Sequence, residues 1–344
     1  MVARISRRAA LIGAATVTLA GCTANGPRSG GETAPAADPV QVTPAVSPRA
    51  GYRVIDAQFH EPPVWLVKPG DAAVNDLLLS ELTLAWLDAA GVNGALLFPV
   101  DRGTVEAGEW AQNMSTQMPD RFGWIRPAFP WTGPVPVEQA IRDSAGSSSR
   151  QLGWRLSISS YPDGVRAYHD GAFDGVFREC EAAGLPLFTY LPGDLQIAHE
   201  IASRYPDLKI ILDHTSLSPQ SPLHEPYEPW YRDLPKLLDV ARNENVFVKL
   251  SGILTYSDSP YPHDDLWPHV SPIIDAYGAQ RVMWGSDISR IIGRLGFRQL
   301  KTKSGHPGLH TYAESVNFIR DTDKLTEEQK SLILGETLMR VVKF

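Results

Sequence analysis

Cysteine is nearly absent, with only Cys22 and Cys180 among 344 residues. Cys22 closes a leader segment, so Cys180 has no partner in the folded part and a disulfide framework is excluded. Clustered Lys and Arg are missing as well. The formal net charge is -7 and the pI about 5.7, with no basic stripe, which excludes a nucleic-acid partner. No Gly-rich phosphate loop follows an early strand-like run, which removes the main signature of a dinucleotide fold. The apolar stretch Ala9 to Ala20 is too short to span as a mature helix, since a bilayer asks for about 20 residues.

What precedes the fold is instead a leader and a tether. MVARISRRAALIGAATVTLAGC opens with basic residues, carries the twin arginines Arg7 and Arg8, and ends in small residues at Cys22. SRR resembles a twin-arginine export signal, and LAGC resembles a lipobox in which Cys22 is diacylated after cleavage. The alternative is an ordinary secretory signal with a chance cysteine. Residues 23–50 are rich in Pro, Ala, Gly and Ser, cannot bury a core, and read as a flexible tether. The expectation is an exported lipoprotein on the outer face of the cytoplasmic membrane, held there by its lipid anchor only.

Residues 51–344 contain no second low-complexity linker and read as one large domain. The chain is 43% hydrophobic, enough for a sizeable core. Eight strand candidates follow one another: 53–60, 95–100, 124–130, 152–159, 185–191, 209–215, 246–252 and 281–287. Segments with apolar residues at helical spacing lie between them, such as 75–91, 194–207 and 230–245. Repeated strand and helix at this length predict a (β/α)8 TIM barrel of α/β class, with a doubly wound open sheet as the disfavoured alternative. Cys180, in FDGVFRECEAAG, is expected to pack in a helix rather than react.

In VIDAQFHEPP, residues 54–63, strand periodicity puts Asp56, Gln58 and His60 on one face. His60, Arg155, Tyr190, His214, Lys249 with Ser251, and Asp287 all fall at or near the C-terminal ends of predicted strands. That end carries the chemistry in barrel enzymes. Arg155, Lys249 and Arg290 are cations suited to a substrate carboxylate, or else they pair with structural acids. Tyr190, Trp65, Trp131, Tyr256 and Tyr261 could stack ring faces or simply pack the loops. His224 and His263 read as incidental, whereas His306 and His310 could line the mouth.

The segments IDAQFHEPP, GLPLFTYLPG, RYPDLKIILDHTS, NVFVKLSG, RVMWGSD and ILGETLMRV together resemble the amidohydrolase-related branch of the amidohydrolase superfamily. The chain is most similar to the subgroup of sugar-acid and muconate-type lactone hydrolases and isomerases. The resemblance implies a (β/α)8 barrel with a divalent metal held by an HxH pair on the first strand, histidines after the fifth and sixth, and an aspartate after the eighth. His60 matches the second histidine of that pair, His214 the one after the sixth strand, and Asp287 the aspartate. Gln58 stands where the first histidine belongs, Tyr190 where the fifth-strand histidine belongs, and Thr337 replaces an asparagine before the final arginine. An amide oxygen is a weak ligand, and a phenol with a pKa near 10 is seldom ionised.

Two chemistries remain open. Either His60, His214 and Asp287 hold one weakly bound divalent ion, zinc or manganese, or there is no metal and Asp287 acts alone as general base. In the second case His60 and His214 position or polarise a carbonyl, while Arg155, Tyr190, Lys249, Gln58 and Arg290 bind substrate. The expected substrate is a small carboxylated or sugar lactone, opened or isomerised. The alternatives are a ligand-binding lipoprotein that keeps the pocket without catalysis, and a decarboxylase of the same superfamily.

Overall fold

The computed structural model describes residues 51–62, 72–99, 106–129, 133–160, 163–217, 229–288 and 310–344. The leader with Cys22, the tether, and Trp65, Trp131, His224, Arg290 and His306 lie outside the described residues.

Eight strands pair in parallel in chain order: β1 Ile55–Phe59, β2 Gly94–Leu97, β3 Phe122–Phe129, β4 Gln151–Leu156, β5 Leu187–Thr189, β6 Ile210–Leu212, β7 Val246–Lys249 and β8 Val282–Met283. Ala57 N donates to Trp284 O at 3.1 Å and Asp287 N to Gln58 O at 2.9 Å, so the end of β8 meets β1 and all but closes the ring. This is the expected barrel. Several strands stop earlier than their apolar runs do. Tyr190, His214 and Asp287 therefore sit in loops that leave the strands rather than on them.

Side-chain alternation divides the apolar residues into two cores. Leu96, Phe98, Phe188, Ile211, Phe247 and Met283 point into the barrel. Their strand neighbours, such as Leu97, Leu187, Ile210, Leu212, Val246 and Val248, pack outward against the helices. The outer layer includes α1 Ala72–Ala89, α2 Glu106–Gln117, α3 Val137–Ser144, α4 Gly164–His169, α5 Asp174–Ala183, α6 Leu195–Arg204, α7 Leu234–Val240, α8 Trp267–Tyr277 and α9 Tyr312–Arg320. Cys180 is buried in α5, where burial pushes its thiol up, consistent with a packing role.

One expectation about β1 needs correction. The register between β1 and β2 shifts between Asp56 and Phe59, so strand periodicity breaks there. Ile55 and Ala57 face the barrel interior. Asp56 turns away, accepting hydrogen bonds from Gln58 N and Ser286 N, both at 2.9 Å, and from Tyr312 Oη on α9 at 3.0 Å. It does not share a face with Gln58 and His60. Burial pushes its carboxyl up to about 6 in spite of those three donors.

The last two helices, α10 Glu327–Ser331 and α11 Thr337–Val342, are joined by a π-helical turn, Leu332–Glu336. From α11, Leu338, Val341 and Val342 plug the interior core. Phe344 lies against the guanidinium groups of Arg53 and Arg150, just ahead of β1 and β4, so this is the N-terminal end of the barrel. Leu338→Ala should open a cavity there and cost about 2–5 kcal/mol in urea unfolding, while leaving the opposite rim unchanged.

Candidate active site

At the C-terminal rim, three side chains from distant segments converge. His60 follows β1, His214 lies in the short turn Asp213–Ser216 after β6, and Asp287 follows β8. Asp287 Oδ1 lies 3.2 Å from His60 Nε2, and Asp287 Oδ2 lies 3.4 Å from His214 Nδ1. All three are buried. His60 Nδ1 lies 2.6 Å from the Phe98 carbonyl oxygen, which can only accept, so this nitrogen carries a proton. Ser251 Oγ lies 2.9 Å from His214 Nδ1 and accepts from His214 N at 3.2 Å, which ties the imidazole to the loop after β7.

The backbone that presents these groups is unusual. His214, Thr215, Ser216 and Asp287 have φ of 54°, 57°, 51° and 49°, left-handed values that cost non-glycine residues about 1–3 kcal/mol each. Surrounding hydrogen bonds hold them: Leu191 N donates to Ser216 Oγ at 3.1 Å and Asp287 N to Gln58 O at 2.9 Å. Gly285 is required by close approach, since a Cβ there would lie 3.0 Å from Gln58 N and 3.1 Å from Ser251 Cβ.

Beneath the rim runs a charged layer. Asp213 is fully buried and meets two cations, Arg155 Nε at 2.7 Å and Lys249 Nζ at 2.7 Å. Burial by itself raises the Asp213 carboxyl, but Lys249 and Arg155 outweigh it and hold the group below its ordinary value. Burial lowers the Lys249 ammonium to about 8, against the opposing pull of Asp213. Lys249 also donates to Gln58 Oε1 and, at 3.3 Å, to Ala57 O. Its Nζ lies 4.0 Å from the Phe98 ring centroid and 4.7 Å from that of Phe188.

The expected substrate contacts therefore separate. Lys249 is wholly inaccessible, and Gln58 is turned toward it, so neither faces the open end. Arg155 keeps its side chain 21% exposed while its Nε is held by Asp213. Tyr190 is buried with its ring edge-on to His214 at 5.3 Å. Tyr256 stacks on Trp230, and Tyr261 donates to Asp321 at 3.0 Å, both as loop packing. His263 Nδ1 lies within hydrogen-bonding distance of Ser257 and Ser259 in its own loop, and His310 is buried beside it at 6.4 Å between rings. Asp213 escaped the sequence reading because its neighbour His214 drew the functional assignment. Its signal was an acid directly following the apolar run of β6.

A parallel eight-stranded barrel with two histidines and an aspartate gathered at its C-terminal rim is the architecture of a barrel hydrolase or lyase. The chain belongs to the amidohydrolase family, whose model matches residues 82–344. Over 133 residues it is 34% identical to an L-fucono-1,5-lactonase of Burkholderia ambifaria, a match covering 37% of this chain and 39% of that lactonase. The match to the uncharacterized protein y4mH of Sinorhizobium fredii, 28% over 149 residues, covers 39% of this chain and 46% of that protein. The chain thus spans less than half the length of these curated relatives. Among solved structures it resembles an amidohydrolase from Burkholderia multivorans with bound zinc (TM-score 0.61, 17% identity, 85% of this chain and 99% of the other). It also resembles a probable 2-pyrone-4,6-dicarboxylic acid hydrolase from Acinetobacter baumannii with citric acid bound (TM-score 0.55, 15% identity, 85% and 100%).

A zinc ion in a fold relative asks whether these side chains suit one. The donor set does not fit. Gln58 Oε1, the only ligand atom that residue could offer, accepts from the Lys249 ammonium. Because an ammonium can only donate, the Gln58 amide turns its NH2 toward His60 Nε2, at 3.2 Å, and the same nitrogen lies 3.2 Å from Asp287 Oδ1, so the imidazole edge a metal would need is already taken up by these two groups. Among the described residues, no group of three or more His, Cys, Asp and Glu side chains has metal-holding geometry.

Asp213 should be the chief stability determinant of this layer. Asp213→Asn leaves two buried cations without their carboxylate and should lower unfolding free energy by about 3–5 kcal/mol at pH 7. Since the folded carboxyl is held below its unfolded value of about 3.9, its contribution is complete above about pH 4 and fades as pH falls further. Denaturant melts from pH 7 to pH 3 should show that acid-side loss in the parent and its reduction in Asp213→Asn.

Proposed function

We propose that this chain hydrolyses a small lactone, with Asp287 as general base and without a tightly held metal. The observation that carries this reading is the Asp287 carboxylate placed between His60 Nε2 and His214 Nδ1 at the chemical end of the barrel. The partial match to an L-fucono-1,5-lactonase supports the substrate class. Lactones also suit a site poor in metal ligands, since an activated ester needs less electrophilic help than an amide.

In the proposed step a water oxygen attacks the lactone carbonyl carbon while its proton passes to Asp287. The tetrahedral intermediate then collapses, the ring carbon–oxygen bond breaks, and the proton moves from Asp287 to the departing ring oxygen. His60 and His214 orient the carboxylate and the carbonyl. Arg155, anchored through Nε by Asp213, directs the remainder of its guanidinium toward a carboxylate or hydroxyl of the substrate. Tyr190 shapes the wall beside His214.

Asp287→Asn keeps the shape while removing the basicity. On a panel of sugar-acid lactones it should lower kcat by about 10²–10⁴-fold with an unchanged circular-dichroism spectrum. An intact rate would place the base elsewhere. Failure of the parent on every lactone, even with added zinc or manganese, would favour the ligand-binding reading.

We propose separately that the enzyme is exported and tethered through residues 23–50 to a lipidated Cys22, a reading supported by the twin arginines Arg7 and Arg8 and the LAGC segment of the leader. Cys22→Ala should move the protein from the membrane fraction to the soluble one, and an unaltered protein found wholly soluble would refute the anchor.

A further inference from the structure

We infer that the Lys249 ammonium is a resident cation that occupies the electrostatic place of a metal, and that Lys249 and Gln58 act as one unit to keep a metal out. Three observations converge. First, three oxygens surround Nζ in the dry barrel interior: Gln58 Oε1, Ala57 O at 3.3 Å and Asp213 Oδ1 at 2.7 Å. The rings of Phe98 and Phe188 add their negative faces at 4.0 and 4.7 Å. Oxygens converging from β1 and from the turn after β6 on one positive centre are what a bound cation would otherwise require, and here the centre is covalently part of the chain.

Second, the charges are already matched. The buried Asp213 carboxylate is already held between the cations Lys249 and Arg155, and Asp287 lies against His60 and His214, so a dication would add its charge to a medium of low dielectric that already holds two cations. Third, the ammonium dictates the orientation of Gln58. By taking its oxygen, Lys249 turns the amide NH2 onto His60 Nε2 at 3.2 Å, where a metal would need a free lone pair. Lys249 thus acts through Gln58 as a positioning residue. The ammonium is one amide group away from the imidazole, close enough to oppose any dication bound there.

Replacing the two lost ligands is therefore insufficient to recover a metal centre while Lys249 remains charged. The test compares Gln58→His/Tyr190→His with the same pair carrying Lys249→Gln, a neutral side chain that can still donate to Asp213. Both proteins are stripped with chelator and titrated with zinc against a chromophoric competitor, and cobalt absorption reports the ligand field. With Lys249 in place, zinc should bind weakly. Lys249→Gln should tighten binding by about 100-fold or more, to one ion per chain. Equal affinities, or one tightly bound zinc with Lys249 retained, would overturn the inference. Should Lys249→Gln fail to fold, Lys249→Met keeps the length and apolar stem of the side chain, leaves Asp213 paired with Arg155, and permits the same comparison. The inference rests on the site proposed above but is read by zinc rather than turnover, so it can fail while lactone hydrolysis stands, and the reverse.

Discussion

The upper half of the barrel depends on one buried carboxylate. Asp213 draws Arg155 from β4 and Lys249 from β7 to the same point, 2.7 Å from each. Burying three charges is costly unless each is paired, so removal of Asp213 leaves both cations stranded. Through Lys249 the constraint reaches Gln58 on β1, and through Gln58 it reaches His60. The next residue after Asp213 is His214, so the same short turn anchors the charged layer and supplies a rim imidazole. Four strands are thereby locked into one arrangement before any substrate arrives.

Rigidity of this kind has a chemical use. His214 and Asp287 sit on strained backbone that only over-determined surroundings can maintain, and their relative placement leaves the carboxylate within 3.4 Å of both imidazoles. A positioned base needs such pre-organisation, because an error of an ångström in the reacting groups can cost orders of magnitude in rate. The zinc-containing fold relative has the same barrel. Here an ammonium, its aromatic cradle and a turned amide lie beside the first strand, and the proposed reaction runs on a carboxylate set between two imidazoles.

Much of the architecture was legible before the structure. Parallel strands buried on both faces appear as short apolar runs, helices as longer amphipathic ones, and their alternation leaves few topologies open. Polar residues closing those runs, His60, His214 and Asp287, could be placed on one rim because barrel strands all point the same way. The ligand replacements at Gln58 and Tyr190 were visible too, by resemblance. Periodicity failed at Asp56, where a register shift rotates the carboxylate outward to Tyr312, a change set by pairing with β2 and β8 rather than by local sequence.

Residue order and polarity by themselves determined that a barrel forms and which residues ring its mouth, since both follow from local patterns repeated along the chain. Which of those residues meet substrate and which meet each other was decided only by tertiary structure. Lys249 and Arg155 look equivalent as cations at strand ends. One is fully buried under aromatic rings and the other keeps part of its guanidinium exposed. The difference arises from where Asp213, Gln58 and Phe98 fall across the barrel, at separations of 36 to 191 residues along the chain for Lys249. Electrostatic pairing at such range is invisible to sequence periodicity, because it depends on distances that exist only once the ring has closed.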